Sequence, residues 1–264
     1  MFPLQTDTPP TTAAGWHDAM AAALTQLVGG PVRLTVDGNP PALASVDVDL
    51  TGCWLTDGPP PDVAVVGRSA PGPSVARFHA AAGPLVVRKV PVAFDVSAAD
   101  ARFALGRTAA GQIVVTLADA ADGRVTAGLA QADLDAALLL AARAGAAPYG
   151  VDVRAVQSRL TATGPRDLAI AVDLTAKKFV TFTLRVTGRL SVDETMTATA
   201  TGLGVQGSGM AATFAAGILR TQLAKLEGQR LPLLAVGIGN VKLRDVAVDV
   251  SDGLRVAATF GGTA

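Results

Sequence analysis

Strict two-residue alternation through the second half of the chain is the feature that most constrains its fold. Val180, Phe182, Leu184 and Val186 fall on one side of the pattern, and Thr181, Thr183, Arg185 and Thr187 on the other. That is the period of a strand whose two faces meet different surroundings. Residues 153–162, 168–176 and 196–200 read the same way, with turn signals at Gly164-Pro165, Lys177-Lys178 and Asp193-Glu194. A strand over 180–190 would span roughly 36 Å, about twice the usual length. An elongated antiparallel sheet of this kind has an apolar face that needs a cover. The chain supplies a helix over 208–226, with Met210, Phe214, Ile218 and Leu219 in one stripe, extended by Leu223 and Leu226. Arg220 and Lys225 lie toward its C-terminal end, where the helix dipole favours cations.

Two strands change phase midway. Val241 and Leu243 are odd-numbered whereas Val246, Val248 and Val250 are even, and Val151 and Val153 likewise give way to Leu160 and Ala162. A one-residue shift of facing predicts β-bulges, which bend and coil a sheet. The expected fold is therefore α+β, a long and highly curved antiparallel sheet wrapped around a long helix.

The first half is read as a flexible lead over 1–11, followed by a helix capped by Thr12. Its apolar face is Trp16, Met20, Leu24 and Leu27, and Gly29-Gly30-Pro31 ends it. Strands fit 32–36, 46–50, 85–90, 92–96, 113–117 and 124–129, with a tight turn at Asp122-Gly123. Residues 57–73, rich in Pro and Gly, read as loops around a short strand at 63–66. A second helix fits 131–144 and a last strand 254–260. Residues 12–264 together read as a single elongated domain.

Half of the residues are hydrophobic and the mean hydropathy is +0.40, yet no run reaches the roughly 18 apolar residues that a membrane-spanning helix needs. The nearest candidates carry Asp135 and Arg143 or stop at Arg220. The apolar side chains must therefore be buried or face a ligand or partner. Only 4% of residues are aromatic, so a cavity would be walled by Val, Leu and Ala and would suit acyl chains better than flat rings. With 22 basic and 22 acidic residues there is no electrostatic reason to expect nucleic acid. The lone Cys53 excludes an intrachain disulfide. Residues 1–10 hold Asp7 and three prolines and do not read as a secretory signal. The expected location is cytoplasmic or peripheral to a membrane, unless a signal has been removed.

Searches for chemistry fail one by one. Gly202-Leu203-Gly204-Val205-Gln206-Gly207 has G-x-G-x-x-G spacing, but the preceding strand is half threonine and no βαβ unit follows. The segment reads instead as the entry to a helix capped by Ser208, with a lipid phosphate at that helix N-terminus as the alternative. His17 and His79 match no metal-ligand spacing, and there is no G-x-S-x-G elbow. Cys53, between Gly52 and Trp54, reads as a packed small residue. Asp47 and Asp49 occupy the polar side of a strand. Lys177-Lys178 and Arg88-Lys89 are either solvated or in reach of anionic headgroups. No enzyme, metal or cofactor is expected; a hydrolase using His79 is the remote third reading.

Several short stretches resemble a known family. They are Gly128-Leu129-Ala130-Gln131-Ala132-Asp133-Leu134-Asp135, the motif Val186-Thr187-Gly188-Arg189-Leu190-Ser191-Val192, and Leu231-Pro232-Leu233 ahead of 241–250 and Asp252-Gly253-Leu254. With their element order, over roughly residues 90–262, they resemble the actinobacterial LmeA-like phospholipid-binding family, related to the tubular lipid-binding (TULIP) superfamily. The resemblance implies a curved sheet that wraps a long helix and encloses acyl chains, with no catalytic motif, usually in the cell envelope.

The functional expectation is binding, and transfer, of a phospholipid or other acyl-chain lipid in a groove. Its walls would be Met210, Phe214, Ile218 and Leu223 of the helix and Phe182, Leu184, Val186, Ile170, Val172 and Leu174 of the sheet. Transient membrane contact and a homodimer belong to the same expectation. The competing reading is a structural or interaction module with a filled core that self-associates.

Overall fold

A computed structural model describes residues 2–56, 65–233 and 241–262. In chain order they form β1 (Phe2–Pro3), α1 (Ala13–Leu27), β2 (Val28–Gly29), β3 (Arg33–Asn39), β4 (Ala42–Asp49), β5 (Trp54–Leu55), β6 (Val65–Val87), β7 (Val90–Thr108), β8 (Ile113–Asp119) and β9 (Asp122–Ala130). Then come α2 (Gln131–Ala146), β10 (Asp152–Gly164), β11 (Asp167–Lys177), β12 (Thr181–Val192), β13 (Thr197–Gly207), α3 (Met210–Leu226), β14 (Arg230–Pro232), β15 (Leu243–Asp249) and β16 (Gly253–Phe260). The fold is α+β and dominated by antiparallel strands. Residues 12–264, read above as one domain, divide into two compact units: Met1–Ala127 with Val236–Asp245 and Ala257–Ala264, and Gly128–Ala235 with Val246–Val256.

In the first unit β3 pairs with β4, β6 with β7 and β7 with β8, all antiparallel, while β4 runs parallel to β6. The β6–β7 hairpin is built from strands of 23 and 19 residues and turns at Arg88 and Lys89, both left-handed (φ 49° and 72°). The loop expected over 57–73 is overturned for residues 65–73, which belong to β6; residues 57–64, including half of the expected 63–66 strand, lie outside the described residues. The reason is local. Pro71, Gly72 and Pro73 sit in a register shift between Pro71 and Ser74, where a ladder tolerates a missing N–H. The Asp122-Gly123 turn is also corrected, since Asp122 already opens β9.

Part of the expected flexible lead is likewise ordered. Phe2 and Pro3 pair with Val115 and Val114, Leu4 donates its N–H to the Ile113 carbonyl at 2.7 Å, and the Leu4 side chain is fully buried. The first helix forms as its sequence dictates. Thr12 accepts a hydrogen bond from the Gly15 N–H at 3.1 Å, which satisfies one orphan donor of the first turn, and Trp16, Met20, Leu24 and Leu27 all join the core.

The second unit is a five-stranded antiparallel sheet in the order β10-β11-β12-β13-β14. Its register sets Val172 opposite Val186, Leu174 opposite Leu184 and Ala176 opposite Phe182. The phase change in β10 is a real register shift, between Val153 and Ala155. In β15 the buried phase changes between Leu243 and Val246, with Arg244 and Asp245 both exposed. A polar knot fixes α2 on β10. The Asp135 carboxylate accepts from the Ser158 N–H at 2.7 Å and hydroxyl at 2.6 Å. Gln131 Nε2 donates to the Ser158 carbonyl at 3.0 Å, and Arg143 Nε donates to the Val153 carbonyl at 2.8 Å.

The face that α3 turns to the sheet differs from the expected stripe. Ala212 and Ala216 are buried, with Ala211, Ala215, Leu219 and Leu223 packed beside them against Phe182, Leu184 and Val205. Small side chains let the helix approach closely, which gains more contact than the larger residues of the neighbouring stripe would allow. Gly207 is required by that approach: a Cβ there would stand 2.5 Å from Leu184 Cδ2 and 2.9 Å from Ala212 Cβ. Ser208 is not the cap. The position falls to Gly209 (φ 89°), which makes no side-chain cap bond.

Removing the Asp135 carboxylate strands the buried Ser158 donors. Asp135→Ala is expected to lower unfolding stability by about 2–3 kcal/mol, read from urea titrations, while Asp135→Asn, which keeps an acceptor oxygen, loses less.

Candidate functional site

An apolar hollow of about 300 Å³ lies inside the first unit. Helix α1 contributes Trp16, Met20 and Leu24, one turn apart on a single face. The sheet answers with alternate residues: Val46 and Val48 of β4, Phe78 and Ala80 of β6, Val115 and Leu117 of β8. Phe78 and Phe103 meet edge-to-face, their centroids 6.1 Å apart, so this wall is held by ring packing as well as by burial. The helix and strand periods, 3.6 and 2, together place every one of these side chains toward the same space. None of the lining side chains except Trp16 carries a polar atom.

Trp16 stands out for that reason. It is 3% exposed, and its indole Nε1 is the one buried side-chain nitrogen or oxygen without a partner among the described residues. An unmet buried donor costs about 1–3 kcal/mol, so the position favours any occupant of the hollow that brings an oxygen acceptor to the indole.

The ten residues picked from the sequence lie in the second unit. Phe182 and Leu184 are buried; Val186, Val172, Leu174 and Leu223 pack against them in one cluster. Ile170 and Ile218 are half-buried and outside that cluster. Met210 and Phe214 point away from the sheet, 93% and 60% exposed. The structure thus brings six of the ten together and sets Met210 and Phe214 on the outer side of α3. Sequence reasoning weighted the helix over 208–226, and it read Trp16, Met20 and Leu24 only as the apolar face of the first helix. Their spacing was visible; the space between them and the sheet was not.

The remaining candidates are occupied internally. The glycine-rich segment is part of β13, and its Gly202 and Leu203 N–H groups donate to the two Glu227 carboxylate oxygens at 2.9 and 2.8 Å. Glu227 thus takes the backbone donors of the glycine-rich segment itself, whereas the helix N-terminus where a lipid phosphate was the alternative lies at Met210. His79 Nε2 is hydrogen-bonded to Asp95 at 2.9 Å, and its Nδ1 faces Asp47 at 3.6 Å, beyond hydrogen-bond reach. The Cys53 thiol is buried and donates to the Pro31 carbonyl at 3.3 Å. Burial, and then the Asp49 charge, push its pKa up, opposite to what a nucleophile needs.

Four carboxyls, Asp193 and Asp249 exposed and Asp173 and Asp49 half-buried, are held below the ordinary carboxylate range by hydrogen bonds they accept: Asp173 from Arg185, Asp193 from the Thr195 hydroxyl and Thr197 N–H, Asp249 from Ser251, and Asp49 from Thr51 and Arg33. A depressed folded-state pKa adds stability that is complete above the unfolded carboxylate range, near pH 4, and is lost as pH falls through the folded value. Unfolding midpoints are therefore expected to drop below about pH 4, and Asp193→Asn should remove part of that drop while lowering stability at neutral pH. Cys53 is expected to resist thiol reagents in the native protein and to react at once in denaturant. No family model matches the chain, and no curated protein or solved structure is significantly similar to it.

Proposed function

We propose that this protein is a non-catalytic lipid binder that holds one acyl chain in the hollow between α1 and the sheet of the first unit. The observation that carries this reading is the hollow itself, walled by aliphatic and aromatic side chains and provided with a single unpartnered donor, the Trp16 indole. A dry apolar cavity of about 150 Å³ already takes up benzene, and this one has a volume of about 300 Å³. Each CH₂ group moved into it from water gains about 0.8 kcal/mol. The ligand is a fatty acid, or one chain of a phospholipid, whose carboxyl or ester oxygen accepts from Trp16 Nε1. Binding and release need no bond-making, and transfer between membranes is the activity that such a carrier performs. The register shifts in β6 support a sheet bent over α1.

The alternative, a packed module with nothing to bind, treats the same space as a packing defect. Ala80 separates the two. Ala80→Leu fills the hollow: under the lipid reading it abolishes uptake of a fluorescent fatty acid and leaves stability equal or higher. Overpacking of a full core would instead cost about 1–3 kcal/mol. Native mass spectrometry of the purified protein is expected to show a lipid adduct; an empty protein that also ignores the fluorescent fatty acid overturns the proposal. Trp16→Phe keeps the apolar wall and removes the donor, so fatty-acid affinity should fall about tenfold, one ordinary hydrogen bond, with alkane uptake unchanged.

A further inference from the structure

One end of the second unit's sheet carries a group of apolar side chains that the described residues leave exposed. The register places Asp152 opposite Lys177 and Leu184 opposite Gly207. The start of β10, the β11–β12 turn and the start of α3 therefore meet at the same end. Phe179 (87% exposed) and Val180 sit on that turn, Met210 and Phe214 on the first turns of α3, and Tyr149 just ahead of β10. Large apolar side chains in water normally occur singly; a group of five at one edge marks a contact surface. Three of them are aromatic, in a chain with only 4% aromatic residues.

The charge around this group names its partner. Lys177 and Lys178 flank Phe179, and Lys178 Nζ stands 5.3 Å from the Phe214 ring centroid, which joins the turn to the helix. No Asp or Glu occurs at 174–192 or 195–226. The one acid at this end, Asp152, is paired with Arg154 at 3.3 Å. We propose that this end is a docking tip for an anionic phospholipid bilayer: Phe179, Val180, Met210 and Phe214 enter the headgroup–acyl boundary, Tyr149 sits at its level, and the lysines meet the lipid phosphates. Aromatic rings settle at that interface, and basic residues beside an anionic leaflet add attraction. A second copy of the chain fits less well, because a two-fold contact would press the same two lysines of each copy onto the same apolar patch. The tip stands independently of the hollow in the first unit, since it needs only a surface to bind.

Co-sedimentation with vesicles tests it. The protein is expected to bind phosphatidylcholine vesicles containing phosphatidylglycerol, to bind pure phosphatidylcholine weakly, and to release as salt is raised. Lys177→Gln and Lys178→Gln should each reduce affinity for the anionic vesicles about fivefold. Phe179→Ser with Phe214→Ser should abolish binding while circular dichroism and the unfolding midpoint stay unchanged, because both side chains are exposed. Ala80→Leu, which blocks the hollow, should bind vesicles as the unmodified chain does. The proposal is overturned if the unmodified protein leaves anionic vesicles in the supernatant, or if the serine variant still sediments. It is equally overturned if ultracentrifugation shows a dimer that Phe179→Ser dissolves, or if Ala80→Leu loses vesicle binding.

Discussion

Each sheet in this chain carries an apolar face that water must not reach, and the side chains on the covering helix decide how that face is closed. In the second unit the helices present alanine: Ala212 and Ala216 on α3, with Ala142 and Ala146 on α2. Small residues let the backbones approach, and Gly207 yields its Cβ to the same purpose. The result is a close contact of α3 with the sheet around Ala212 and Ala216. In the first unit α1 presents Trp16, Met20 and Leu24 to Val46, Val48 and Ala80. Side chains of that length hold the helix away from the strands, and small residues opposite them leave space.

Much of the fold was legible because its signals are local. Period-two alternation located β10 to β12, the Thr12 cap fixed the start of α1, and the phase change in β10 announced a register shift that the pairing contains. What failed was non-local. Pro71-Gly72-Pro73 reads as a loop until β7 is present to accept them in a bulge. The lead over 1–11 looks unstructured until β8 offers Phe2 and Pro3 a partner. Parallel pairing of β4 with β6 leaves no trace in either strand.

The candidate site shows the same limit more sharply. The stripe read from hydrophobicity, Met210, Phe214, Ile218, Leu219, Leu223 and Leu226, is split by the fold: Leu219 and Leu223 join Ala212 and Ala216 against the sheet, while Met210 and Phe214 face outward. Packing prefers the face with the alanines, since close approach multiplies dispersion contacts and shields more of the sheet. Helical spacing therefore names the possible faces, and the partner surface chooses between them. For α1 there was only one face to choose, yet whether Trp16, Met20 and Leu24 fill a core or line a cavity depends on residues up to a hundred positions away, such as Val115 and Leu117.

The way polar groups are used across the chain gives the functional reading its direction. On the strand surfaces they satisfy one another: Arg185 grips Asp173 with two bonds at 2.7 and 2.9 Å, Arg33 meets Asp49 and Arg102 meets Asp119 at 2.6 Å, His79 lies between two aspartates, and Glu227 closes the glycine nest. Groups committed in this way are poor starting points for catalysis, which needs donors and acceptors held ready for a substrate. Two exceptions lie beside apolar surface. Trp16 Nε1 has no hydrogen-bond partner among the described residues, and Lys177 and Lys178 stand beside exposed rings, with Asp152, paired to Arg154, the acid opposite Lys177. An apolar space with one donor suits a chain that ends in oxygen, and an apolar edge with two cations suits the surface from which such chains come. The lipid carrier proposed above would use both arrangements, one to hold a chain and one to meet the surface that supplies it.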